Sequence, residues 1–205
     1  MIFKKTVTAC SLMFFQLFTS VSADFKHIKE GDLIFQTSNS TQSIAIQKVT
    51  KSIYSHMGIV FFKNNKPYVF EAANTVKYTP LEQWIKRGVK HHYVIKRLNK
   101  PLTPDDIVKL KKIAATFLGK AYDLQFLWSD QEIYCSELVW KIYDRGLNIK
   151  IGQLQKIKDF DISSKEAQQE IKERYQQLPL EETVISPQAM FESDLLSTIT
   201  RTGAQ

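Results

Sequence analysis

The chain has 205 residues, 43% of them hydrophobic and 24% charged, with 7 glycines and 6 prolines. That balance fits one ordinary globular domain with a core of useful size and excludes a fibrous or disordered chain. The formal net charge of +7 is not gathered into a basic stripe with interleaved aromatics, so it points away from nucleic acid and toward, at most, acidic partners such as cell-wall polymers or anionic lipids.

Residues 1–23 read as a secretory signal peptide. Lys4 and Lys5 give a positive start, an apolar run follows through Leu12, Phe14, Phe15, Leu17 and Phe18, and Val21-Ser22-Ala23 supplies the small residues of a cleavage site. The run is too short for a stable transmembrane anchor; the alternative is an uncleaved N-terminal segment. Cleavage near Ala23 predicts an exported protein, periplasmic or extracellular, with a single domain over residues 24–205. It also removes Cys10 and leaves Cys135 as the lone cysteine. Such a thiol is buried and inert, paired with another chain, or chemically active.

The mature segment opens with a short strand, Gly31 to Gln36, then a polar loop and a helix over 42–50. His56 to Phe62 predicts a strand apolar on both faces, followed by a turn at Lys63–Lys66 and a second strand, Pro67 to Ala72. Two β-rich runs around Asn64-Asn65 make an antiparallel hairpin. Residues 77–86 predict a turn and short helix, with Thr79 as cap and Pro80 in the first turn. A strand at 92–98 and a well-capped helix from Thr103 to about Leu118 follow, closed by Gly119. Cys135 to Tyr143 predicts a helix ending at Arg145-Gly146, 163–177 a polar helix, and Ser186-Pro187 a last short one. The order of elements is α+β.

The chemistry-bearing residues fall in the hairpin and the helix after the loop. Leu138, Val139 and Ile142 at +3, +4 and +7 put Cys135 on the inward face of its helix. A thiol opening that helix meets the positive end of the macrodipole and free backbone N–H groups. The competing reading starts the helix earlier, from a capping box at Ser129-Asp130-Gln131-Glu132, and buries Cys135 inside it. A turn centred on Asn64 pairs residues whose numbers sum to about 128, so His56 meets Glu71 or its neighbour across the ladder. A carboxylate there fixes the tautomer of an imidazole and stabilises its cation. Taken singly, His56 reads as a structural histidine and Glu71 as an exposed acid; their coincidence weighs toward a site. There is no HExxH, no paired cysteine set, no phosphate loop and no GxSxG, so neither a metal nor a cofactor is expected.

Ser55-His56-Met57-Gly58-Ile59-Val60, Phe70-Glu71-Ala72, Gly119-Lys120-Ala121-Tyr122-Asp123 and Tyr134-Cys135-Ser136-Glu137-Leu138-Val139 together resemble the circularly permuted YiiX/YebB-like branch of the NlpC/P60 superfamily. Gly31 to Phe35 and Ser186-Pro187 fit as well, so the resemblance spans nearly all of residues 24–205. The histidine strand preceding the cysteine helix is the permuted order. The resemblance implies a papain-like fold, a small antiparallel sheet on helices, with a Cys135–His56–Glu71 triad that hydrolyses an amide through a thioester. The substrate is then a small amide, a peptide, peptidoglycan included, or an acyl-lipid. Tyr134 stands where ordinary members often carry Asp. Tyr54, Tyr122 and Tyr134 are candidates to line the substrate pocket, with packing as the alternative role for Tyr54 and Tyr122. Acyl transfer or ester hydrolysis on lipids, and a non-catalytic binding module, are the competing functions; a long hydrophobic groove would favour lipid chemistry. Nothing in the sequence specifies an oligomeric state.

Overall fold

The computed structural model describes residues 25–202; the signal-peptide segment lies outside them. Six strands form one antiparallel sheet: β1 (Leu33–Gln36), β2 (His56–Lys63), β3 (Lys66–Ala72), β4 (Val76–Pro80), β5 (Val94–Leu98) and β8 (Leu196–Arg201), in the order β4-β3-β2-β1-β5-β8. Two short strands, β6 (Gln155–Lys156) and β7 (Thr183–Val184), pair separately. The helices are α1 (Thr41–Thr50), α2 (Leu81–Arg87), α3 (Pro104–Phe117), α4 (Cys135–Leu147), α5 (Lys165–Arg174) and α6 (Pro187–Phe191).

The sheet is covered on both faces, which explains the doubly apolar strands. Leu33, Phe35, Met57, Ile59, Phe61 and Phe70 face one way and pack with Leu138, Val139 and Ile142 of α4 and Leu110 and Ala114 of α3. Ile34, Val60, Val69 and Ile95 face the other way against Leu81 and Trp84 of α2. This is the period-2 alternation of strand side chains. Each fully buried aliphatic or aromatic side chain contributes about 1.5–3 kcal/mol.

The hairpin joins β2 to β3 through Asn64 and Asn65, with φ of 50° and 59°. Both central residues are left-handed, as a two-residue hairpin turn of matching twist requires, and Asn tolerates that region better than most side chains. Ile59 pairs with Phe70 and Lys63 with Lys66, so the register lies one residue from a turn centred on Asn64. Gly58 stands opposite Glu71. A Cβ on Gly58 would lie 2.5 Å from Val69 Cγ1 and 2.7 Å from the Phe70 carbonyl oxygen, so only glycine allows β2 and β3 to approach this closely.

Three expectations need correction. Residues 76–80 form the edge strand β4, not a turn. Thr79 is therefore not a helix cap; Pro80 precedes α2 and makes no side-chain cap bond. The helix holding Cys135 runs on to Leu147 and ends at Asn148, whose left-handed φ of 54° supplies the C-cap; Gly146 is inside it. The strand β8 was not anticipated: its sequence is polar, and pairing with β5 at Leu98↔Leu196 and Val94↔Arg201 is what makes it a strand. No helix among the described residues is long and apolar enough to cross a membrane.

Candidate active site

Cys135 is the first residue of α4. Tyr134 is the N-cap in extended conformation, and the Leu138 N–H makes the first helical bond, to the Tyr134 carbonyl at 2.9 Å. The alternative start at Ser129 does not form, because Asp130 is drawn to the other end of the helix. Its carboxylate accepts bonds from Arg145 at 2.7 and 2.9 Å and from Lys141 at 2.9 Å. Cys135 therefore sits where first-turn N–H groups lack helical acceptors and the macrodipole is positive. It is 2% exposed.

His56 opens β2, on the same face as Gly58 and Glu71 across the ladder. Its Nε2 lies 2.6 Å from Glu71 Oε2. An ionised carboxylate only accepts, so Nε2 carries the proton and Nδ1 is free of Glu71; the Cys135 thiol is near enough to act on the ring's titration. The ring also stacks on Trp84, 5.8 Å between centroids and 26° between planes. Burial opposes the imidazolium, but the hydrogen bonds and negative charge of Cys135 and Glu71 outweigh it and raise the His56 pKa to about 9.

Glu71 is fully buried and gathers four donors. Besides His56 it accepts from Trp84 Nε1 at 2.9 Å, from the Thr79 hydroxyl at 2.5 Å, and from Arg87 Nη2 at 2.5 and 2.7 Å. Burial pushes its pKa up; His56, Arg87 and Thr79 together bring it down to about 2. Trp84 and Arg87, three apart on α2, and Thr79 on β4 were not anticipated as site residues. The available signal was the i, i+3 spacing that puts an indole N–H and a guanidinium on one helix face.

The loop from α3 to α4 brings Tyr122 to the cysteine. Asp123 is buried and accepts the Gln125 N–H at 2.7 Å and the Leu127 N–H at 2.6 Å, while Tyr122 receives a bond from Gln42 Nε2 at 3.1 Å. Tyr122 and Tyr134 both line a cavity of about 150 Å³ that reaches Cys135. Tyr54 does not. It is 5% exposed, stacked on Phe191 at 4.2 Å, and belongs to the core.

Comparison with known proteins gives a consistent result. Residues 27–200 match the family described as permuted papain-like amidase enzyme, YaeF/YiiX, C92 family. The chain is 48% identical over 191 residues to the uncharacterized protein YiiX of Escherichia coli strain K12, covering 93% of this chain and 95% of that one. The crystal structure of yiiX from Escherichia coli O157:H7, described as a metalloprotein, superposes with a TM-score of 0.84 at 49% identity, covering 86% of this chain and 98% of that one. The chain belongs to the YaeF/YiiX C92 family of permuted papain-like amidase enzymes.

Proposed function

We propose that this amidase works through Cys135 as nucleophile, His56 as general base and acid, and Glu71 as the orienting carboxylate. The observation that carries the reading is the fixed imidazole: its Nε2–H is held on Glu71 at 2.6 Å, leaving Nδ1 for the thiol. The ring takes the thiol proton, and the thiolate attacks the amide carbonyl carbon. The tetrahedral oxyanion is met by N–H groups of the first turn of α4. The C–N bond breaks as the imidazolium returns its proton to the departing amine. Water, deprotonated by the neutral ring, then attacks the thioester, the C–S bond breaks, and the carboxylic acid leaves. Arg87, Thr79 and Trp84 keep Glu71 ionised and immobile, so the ring cannot flip its tautomer.

A resident metal does not fit these residues. No group of three or more His, Cys, Asp and Glu side chains is placed to hold an ion among the described residues. Glu71, the carboxylate nearest the thiol–imidazole pair, has both oxygens committed to four donors. No step is routed through a metal.

The positive start, apolar run and Val21-Ser22-Ala23 support export of the enzyme, checked by intact mass of the protein recovered outside the cytoplasm: a mature chain starting at Asp24 is expected.

The test of the triad is iodoacetamide alkylation against pH in the protein and in His56→Ala. A thiolate–imidazolium pair reacts well below the free-thiol pKa of about 8.5, and the mutation removes that reactivity. With a good substrate the same mutation costs about 10²–10⁴ in turnover. An ordinary thiol profile, unchanged in His56→Ala, would end the triad reading.

A further inference from the structure

Gln36 closes β1, and His56 opens β2 directly opposite it. Opposed residues of an antiparallel pair share a face of the sheet, so the two side chains are neighbours. β1 and β3 flank β2 on opposite sides, which leaves the imidazole with Glu71 on one side and Gln36 on the other. The Gln36 backbone is fixed, its carbonyl accepting the Ser55 N–H at 3.1 Å. The residue is 1% exposed, yet its amide makes no hydrogen bond within the protein. Oε1 is enclosed without a donor, and Nε2 donates to no described residue. A buried amide in this state costs stability that an apolar side chain of the same length would not. Room for it comes from Gly88 at the end of α2, where a Cβ would collide with Oε1.

We propose that Gln36 is a catalytic residue that holds the water which resolves the thioester. The inference rests on the thiol-hydrolase reading and adds a residue for its second half. The amide presents an acceptor and a donor side by side, so its partner must both donate and accept. An oxyanion only accepts and would leave Oε1 orphaned, and a substrate chain is too large for a side chain enclosed to this degree. Water meets both needs: one O–H goes to Oε1, and one lone pair accepts from Nε2. Its second O–H is left for His56, the neighbour across the ladder, and its second lone pair for the carbonyl carbon. The neutral ring takes that proton as the C–O bond forms. The C–S bond then breaks, the imidazolium returns the proton to sulfur, and the carboxylic acid leaves. Acylation consumes no water, so Gln36 acts in deacylation alone.

The experiment separates the two half-reactions. p-Nitrophenyl acetate, an activated ester that a thiolate attacks as readily as it attacks iodoacetamide, acetylates Cys135, and p-nitrophenolate release times that step. Hydrolysis is timed by the mass of the acetyl-protein, freed of excess ester and quenched in acid at intervals. In Gln36→Met, acylation keeps its rate. Hydrolysis loses two hydrogen bonds to the water and slows about thirtyfold, so the acetyl-protein accumulates. Hydroxylamine, which attacks without the bound water, strips the acetyl group from both proteins at one rate. Gly88→Ala, at a φ of −71° that alanine adopts freely, displaces the amide and slows the same step with Gln36 still present. Gln36→Met melts no lower than the native protein, because it loses no hydrogen bond within the fold. Unchanged hydrolysis in Gln36→Met, or acylation and hydroxylamine cleavage slowed along with it, would overturn the water assignment; His56-dependent alkylation would still leave the triad standing. Alkylation indifferent to His56→Ala ends the triad and this proposal with it.

Discussion

Two carboxylates near the start of α4 are equally buried and titrate in opposite directions. Glu71 and Glu137 each have no exposed surface, and burial pushes both pKa values up. At Glu71 the imidazole of His56, the guanidinium of Arg87 and the Thr79 hydroxyl reverse that push and leave it at about 2. At Glu137 the opposition is thinner. Lys141 lies 2.7 Å away but also serves the Ser129 carbonyl and Asp130, the Tyr134 N–H is long at 3.4 Å, and Asp123 adds negative charge. Glu137 rises to about 8, so near neutral pH its contact with Lys141 joins an ammonium to a largely protonated acid. Burial sets the cost of a charge; the number and charge of committed donors decide whether it is met.

The contrast breaks most sharply at Glu71. Glu71→Leu leaves the Trp84 N–H, the Thr79 hydroxyl and the Arg87 guanidinium without their acceptor and should cost about 3–5 kcal/mol in urea unfolding. The isosteric Glu71→Gln isolates the charge. In the native protein the Glu71 contribution is complete above about pH 4.5 and is lost as pH falls through about 2. The His56 contribution has the opposite sense, complete below about pH 6.5 and lost as pH rises through about 9. Melting temperatures from pH 2 to 10 should show both limbs, and Glu71→Gln should flatten the acid one; an unchanged acid limb would mean that Glu71 is not the group responsible.

Glu137→Gln sharpens the comparison from the other side. A raised carboxyl pKa means that the folded protein holds a proton the unfolded chain has released, so stability falls between about pH 4.5 and 8. The variant lacks that fall. It should match the native protein near pH 4 and exceed it by about 1–2 kcal/mol at pH 8, read from urea midpoints at the two pH values. Arg87→Ala should be the mildest change. Its side chain is 43% exposed, water screens the lost charge, and about 1 kcal/mol or less is expected. A loss as large as that of Glu71→Leu would show that Arg87, not the imidazole, holds the carboxylate.

The half of the site on the hairpin was legible because local patterns encode it. Alternating apolar residues around Asn64-Asn65 define the two strands, and any two-residue or near two-residue turn brings position 56 close to position 71. The register was off by one because both asparagines, not one, occupy the turn. Cys135 at a helix start was one of two open readings; what decides it is the pull of Arg145 and Lys141 on Asp130, a tertiary effect with no sequence period. Thr79 looked like a cap because Pro80 follows it, yet an edge strand tolerates a terminal proline equally well. The strand β8 has no apolar alternation and exists through its partner. The cavity beside Cys135 was not visible at all: α5 is polar along its length and contributes Ala167, Glu170, Ile171 and Arg174 to the wall only once it lies over α1.

The His56–Glu71 pair spans 15 residues within one hairpin, whereas Cys135 comes from a helix that follows the α3 segment and a long loop. During synthesis the hairpin has left the ribosome before the cysteine is translated. Its ladder closes with a small loop, and the donors that hold Glu71 from outside the hairpin, Thr79, Trp84 and Arg87, follow within 16 residues of it. The thiol, by contrast, meets the imidazole only when α4 docks on the finished sheet. The order of translation thus keeps the Cys135 thiol apart from the His56 imidazole until the fold that encloses it is complete, so an incompletely folded chain holds the imidazole–carboxylate pair without the thiol.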